Sequence, residues 1–341
     1  MAPPTAPATA APPRRRRVAL HLWVAGALLL ALALVPLVSQ LLGQGFYVTL
    51  VSRMMIFGLA AVGLNLVVGY GALVSFGHAL YLGFGAYAVG VLSFHGIHDG
   101  WVHLAVALCG GAVLATVIGA VCLRAKGVAF IMITLAFAQM FYFLGVSLKQ
   151  YGGDDGFAID MRSQFGFIDL DNSVVLYYVI FAVLVAVLYA LYRLVNARFG
   201  MVLRGCKSNE RRMAALGFPT HQVKLTAYVI SALVCVVAGM LLANLTRFVS
   251  PAYMQWLVSG DLLVIAVLGG LGTLIGPLVG AVLWLTMEEV LSSFSPGWGM
   301  VDELVRNHWL GVAGVVALLV ALLLEHGVYG AIVARDEESG S

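Results

Sequence analysis

Few side chains in this sequence are placed to do chemistry. The chain has 341 residues, 62% of them hydrophobic and only 10% charged. Arg53, His78, Asp261, Glu288 and Glu289 are the ionisable residues near or within its apolar runs. Ionisable groups at membrane depth are functional candidates by default, because hydrocarbon solvates charge poorly. Glu288 and Glu289 fall near the end of one run and Asp261 near the start of another, where solvation at the interface is the plainer reading. His78, beside Gly77, either lines a path or packs as a hydrogen-bonded histidine. Asn65 either bonds a neighbouring helix or faces the same path. With Ser75 these two make the candidate pathway set.

Other constellations are weaker. His95, His98 and His103 could approach a metal, but loop histidines are usually solvated. Asp154-Asp155-Gly156 lacks the spacing of a calcium loop. Gly205-Cys206-Lys207-Ser208 looks like the end of a phosphate-binding loop, yet the preceding glycine spacing is wrong and no strand leads into it. No HExxH or GxSxG motif occurs, and Cys109, Cys122, Cys206 and Cys235 form no CxxC pair. The residues therefore point to no catalytic, metal or cofactor site and to no nucleic-acid partner. If ATP drives this chain, another chain hydrolyses it.

The elements that position these residues are membrane helices. A mean hydropathy of +0.99 excludes an ordinary soluble domain. Apolar runs recur at lengths that cross a hydrocarbon core. They are continuous rather than alternating, which argues for an all-α polytopic protein and against a β-barrel. The runs are expected at about 18–42, 46–68, 70–94, 102–123, 128–148, 174–195, 225–245 and 309–324, and the run 257–291 is too long for one span. Broken by GGLGTLIGP at 269–277, that last run reads as a shortened segment, a turn and a further span. The count is about ten, within a range of roughly eight to ten. Gly-broken segments in both halves are a pointer to an inverted repeat, although glycines also serve plain close packing.

Residues 1–17 are expected to be a disordered cytoplasmic tail, 18–325 the transmembrane domain and 326–341 a cytoplasmic tail. Charge sets the orientation. Of the 19 Lys and Arg, one side takes Arg14, Arg15, Arg16, Arg17, Arg124, Lys126, the basic residues from Arg193 to Lys224, and Arg335. The other takes only Arg53, Lys149, Arg162, Arg247 and Arg306. The positive-inside rule places the richer side, and both termini, in the cytoplasm.

The stretch 196–224 is the one long polar island in the body. Small apolar and basic residues, closed by Leu216-Gly217-Phe218-Pro219, predict a short amphipathic helix with a stop signal. Topology or contact with anionic lipid would require the charges but not the helix. The island is therefore read as a cytoplasmic docking loop.

Four stretches resemble the permease subunits of branched-chain amino-acid ABC importers of the LivM type. They are GYGALVSFGHALYLGFGAYAVGVL at 69–92, YGGDDGF at 151–157, ARFGMVLRGCKSNERRMAALGF at 197–218 and GGLGTLIGPLVGAVLWLTMEEVLSSF at 269–294. The second departs from the family pattern in carrying Tyr151 where a Thr is usual. The resemblance implies a bacterial inner-membrane protein with a second, related permease subunit and two cytoplasmic ATPase subunits. It also implies a periplasmic binding protein and leucine, isoleucine or valine as substrate. Its coupling loop would be carried by Asn209, Glu210, Arg211, Arg212, Ala214, Ala215, Leu216 and Gly217, with Glu210, Arg211 and Arg212 in polar contact with an ATPase groove. Urea and short-chain amide permeases share much of the pattern. An ion-coupled secondary transporter would require deep carboxylates, which are scarce here.

Overall fold

The structure, a computed structural model, describes residues 20–42, 45–166, 168–293, 309–324, 327–331 and 333. The expected N-terminal tail at 1–17 and most of that at 326–341 lie outside the described residues. Within them the chain is a polytopic helical protein: α1 (Leu20–Leu42), α2 (Phe46–Val68), α3 (His78–Phe94), α4 (Gly100–Cys122), α5 (Val128–Ser147), α6 (Ser173–Asn196), α7 (Arg198–Ala215), α8 (Thr220–Thr246), α9 (Trp256–Gly269), α10 (Gly276–Ser292) and α11 (Trp309–Leu323). Helices α1, α2, α4, α5, α6 and α8 are each long and apolar enough to cross a membrane, whereas α3 and α9 are shorter.

Burial separates the centre from the periphery. The apolar stretch of α2 is 83% buried and that of α8 67%, against 22% for α5. Packing of α8 against both α2 and α3, with α9 and α10 beside α2, makes the core. Large apolar side chains such as Phe143, Val113 and Tyr189 point outward, as the lipid-facing side of a helical bundle requires.

The crossing of α3 and α8 is a backbone contact. A Cβ on Gly239 would lie 1.8 Å from the Leu82 carbonyl oxygen, and one on Gly85 would lie 2.1 Å from that of Val236. Small residues let helices approach this closely where no hydrophobic force separates helix from lipid.

The run expected as a span over 70–94 becomes helical only at His78. The backbone leaves α2 in a turn in which the Gly69 and Tyr70 N–H groups both reach the Asn65 carbonyl. Residues 73–77 then run without helix. A helix that starts inside the bundle exposes orphan donors. Here the Ala79 N–H donates to Ser259 Oγ on α9 at 2.9 Å, and the Phe76 N–H to Thr134 Oγ1 on α5 at 3.2 Å. The long run near the C-terminus divides as expected, into the 14-residue α9, a turn and α10.

One end of the bundle is closed by loops. Phe157–Ala158 pairs antiparallel with Phe248–Val249. The Ser163 N–H donates to Asn244 Oδ1 and Arg162 Nε to the Asn244 carbonyl, both at 2.8 Å. His103 is held by Ser163 Oγ and the Ile97 carbonyl, each at 2.8 Å. Among the described residues no group of three or more His, Cys, Asp or Glu is placed to hold a metal. Helix α7 lies at the opposite end.

Gly239→Ala should destabilise the protein by about 1–3 kcal/mol, the usual range for forced overpacking. Gly26→Ala, whose Cβ would meet nothing within 4 Å, should not. Thermal unfolding of the two variants in detergent checks this, and an equal effect would remove the close-contact account.

Candidate functional site: the α7 hairpin and the broken helices

The polar island folds as two helical pieces. Asn209 has extended backbone (φ −159, ψ 99) inside α7, so the chain restarts there. Its side chain caps the second piece, Oδ1 accepting from the Arg212 N–H at 3.0 Å, the ordinary role of Asn at a helix start. Gly217 closes that piece at φ +87. The Phe218 N–H returns to the Met213 carbonyl at 3.2 Å and the Gly217 N–H to that of Ala214 at 3.0 Å. This pattern of bonds, with a left-handed glycine, satisfies the last carbonyls of a helix. Arg211, Arg212, Ala214, Ala215, Leu216 and Gly217 are all exposed. Leu216 is 65% exposed and Phe218 43%, so the capped turn presents apolar tips flanked by two arginines.

The turn is tied to the body from beneath. Glu210 Oε1 lies 2.9 Å from Lys224 Nζ, and Oε2 lies 3.2 Å from Lys126 Nζ. Lys224 is 13% exposed and Lys126 77%, so the first pair is the screened one and the second contributes little. Glu210, expected to contact an ATPase groove, is paired with two lysines of its own chain and keeps 28% of its side chain exposed. Burial pushes the Glu210 carboxyl up, but the hydrogen bonds and charges of Lys224 and Lys126 outweigh it and hold the group below the usual glutamate range. One turn earlier, Lys207 Nζ donates to the Gly69 carbonyl at 2.7 Å, a cation at the C-terminal end of α2 where the helix dipole favours it.

That carbonyl belongs to the junction of the two broken segments. Asn65 Nδ2 donates to the Thr273 carbonyl at 2.7 Å, and Asn65 Oδ1 accepts from the Gly272 N–H at 3.0 Å. One amide side chain thus satisfies both kinds of orphan group in the turn between α9 and α10. Ser75 and His78 are buried on the other side of the first break. His78 Nδ1 is 3.0 Å from Ser75 Oγ, and Nε2 is 2.8 Å from Ser231 Oγ. The Ser231 hydroxyl donates to the Gly63 carbonyl at 2.6 Å, so His78 Nε2 must be the donor to Ser231. Asn65, Ser75 and His78 are therefore near neighbours of the breaks, with their polar atoms bonded inside the protein.

Arg53, Asp261 and Glu288, distant in sequence, line one cavity near the end of the bundle opposite α7. Arg53 Nη2 is 3.5 Å from Glu288 Oε1. Sequence spacing carries no sign of that meeting.

Residues 46–324 match the family described as branched-chain amino acid transport system / permease component. The chain belongs to that family. Within it, the high-affinity branched-chain amino acid transport system permease protein LivM of Escherichia coli K12 is 28% identical over 265 residues, covering 71% of this chain and 62% of that protein. LivM of Salmonella typhimurium is 27% identical over 272 residues, covering 73% and 64%. The permease protein LivH of Escherichia coli K12 is 27% identical over 294 residues, covering 80% and 91%. The chain thus spans less than two thirds of the length of the LivM relatives it matches. No solved structure matches it.

Because the folded Glu210 carboxyl titrates below its unfolded value, its tie is complete above the ordinary glutamate range and is lost as pH falls through the lowered value. Hydrogen exchange in α7, corrected for intrinsic rates, should stay flat from neutral pH to the ordinary glutamate range and rise only below it. Glu210→Gln should raise exchange at neutral pH. Identical exchange in the variant would show that Glu210 does not hold the hairpin.

Proposed function

We propose that this chain is a permease subunit of an ATP-driven importer that moves branched-chain amino acids across the bacterial inner membrane. Two kinds of support carry the reading: the family match over 46–324, and a capped helical turn whose Leu216 and Phe218 are exposed. In this reading the protein spans the membrane about ten times, with both termini and α7 in the cytoplasm, as the bias of Lys and Arg favours. The two broken segments are the corresponding parts of an inverted repeat. A second, related permease subunit completes the pathway. Two ATPase subunits sit under α7, and a periplasmic binding protein delivers substrate. This chain itself is not an enzyme; ATP is hydrolysed by the separate subunits.

In this reading coupling runs through α7. ATP closes the ATPase dimer and displaces the turn from Asn209 to Gly217 as a rigid body. Arg211 and Arg212 supply polar contacts to the ATPase groove, and Ala214, Ala215, Leu216 and Phe218 supply apolar ones. Glu210 and Lys207 pass the displacement to α8 and to the end of α2. Asn65, joined to both breaks, is then placed to shift the pathway walls, with Ser75 and His78 keeping α3 and α8 in register.

The complex co-expressed with its neighbouring permease and ATPase genes should show ATP hydrolysis stimulated by binding protein loaded with leucine, isoleucine or valine. Stimulation by urea or an amide alone would keep the architecture and change the substrate. Uptake by this chain alone along an ion gradient would overturn the reading. Ala215→Asp, which buries a charge in the docking contact, should leave membrane insertion intact and uncouple hydrolysis from uptake; a variant that transports normally would remove the docking role.

A further inference from the structure

We propose that the cavity between α2, α9 and α10 is a transit site for the zwitterionic head of the amino acid, at the end of the bundle opposite α7. This inference rests on the importer reading above and assigns residues to its substrate. The cavity has a volume of about 300 Å³, the lower end of the range of roughly 300–1,000 Å³ for ligand pockets. Arg53, Asp261 and Glu288 bring charge of both signs to one wall, and Phe57, Ile265 and Trp284 are among its apolar lining. That combination matches an α-amino acid with a hydrocarbon side chain. Its carboxylate needs a guanidinium, its ammonium needs a carboxylate, and its side chain needs an apolar wall.

The charged groups are not consumed by each other. Arg53 and Glu288 stand 3.5 Å apart with side chains 45% and 27% exposed, an open pair rather than a closed bidentate one. The guanidinium also lies over the Phe57 ring, 5.7 Å from its centroid. Asp261 is half-buried and makes no hydrogen bond or ion pair among the described residues, although it faces the charges of Glu288 and Arg53. A carboxylate left without a direct partner inside an apolar bundle is costly to keep. A passing ammonium offsets that cost by docking on Asp261, while the substrate carboxylate competes with Glu288 for Arg53. Because each contact is single and partly solvated, the site holds substrate weakly enough to release it. A neutral urea or amide would use neither ionic contact.

The test is uptake by the full importer in proteoliposomes, with leucine-loaded binding protein outside and ATP inside. Asp261→Asn breaks no ion pair among the described residues, so a lost structural tie does not explain a defect. Asp261→Asn and Arg53→Gln should each lower leucine uptake at least about tenfold, the scale of one lost charge-assisted contact, with normal assembly. Val258→Trp, which narrows the cavity without touching a charge, should lower uptake as well and serves if the charge variants assemble poorly. Wild-type uptake in all assembled variants would overturn the inference and leave the importer reading standing. Uptake of urea but not leucine by the unaltered complex would overturn the inference together with the branched-chain substrate of the importer reading.

Discussion

A backbone that breaks against the interior of a helical bundle must find its hydrogen bonds in protein, and this structure meets that constraint at Asn65. The first break frees the carbonyls at the end of α2, and the second frees donors and acceptors between α9 and α10. Asn65 is one of the few side chains that both donates and accepts. It uses its amide on Thr273 and Gly272 and its own carbonyl on Gly69 and Tyr70. Replacing it by an apolar residue would remove the partner of two part-buried backbone groups, the Thr273 carbonyl and the Gly272 N–H, at once, and a polar group shielded from water is costly to leave unpaired. The apolar packing of α2 against α9 and α10 is thus joined at this end by a polar tie.

The same junction connects the polar end of the molecule to its interior. Lys207 reaches the carbonyl of Gly69, whose own N–H is one of the two donors that the Asn65 carbonyl accepts. Glu210, three residues on, holds Lys224 at the start of α8, and α8 crosses α3 through backbone contact at Gly239. Rigid contacts of this kind transmit displacement because packed helices have few intermediate arrangements to absorb it. The exposed turn from Asn209 to Gly217 is joined to this junction through Lys207 on the preceding helical piece and to α8 through Glu210. Under the importer reading this arrangement is what lets a surface event move a buried path.

Much of the helical layout was legible because hydrophobic runs alone determine it. The continuous apolar residues of α2, α4, α5, α6 and α8 gave boundaries within a few residues, and the Gly-Pro text at 269–277 announced the division of α9 from α10. The start of α3 was not legible. Tyr70, Ala72, Leu73 and Val74 are as apolar as a span, and only tertiary partners, Ser259 and Thr134, allow the helix to wait until His78. The polar island was recognisable as a short helix around Asn209 to Leu216 with a glycine stop, which the cap at Asn209 and the turn at Gly217 match; the helical piece before it, from Arg198, was not legible. The pairing of Glu210 was hidden because its partners Lys126 and Lys224 lie on different elements, and no spacing rule joins them.

The placement of charge carries a last lesson. Sequence position alone put Arg53, Asp261 and Glu288 near the ends of their segments, where water satisfies them, and on that reading they need no common explanation. The fold removes that independence by bringing all three to one cavity. An ion pair as open as Arg53 with Glu288 adds little stability. Apolar side chains of similar volume would fill the same space without a desolvation cost. Stability therefore does not account for the charges, and interfacial solvation does not account for their convergence from α2, α9 and α10. Under the proposal made above, the partner that explains their convergence is one that itself carries both signs of charge and an apolar side.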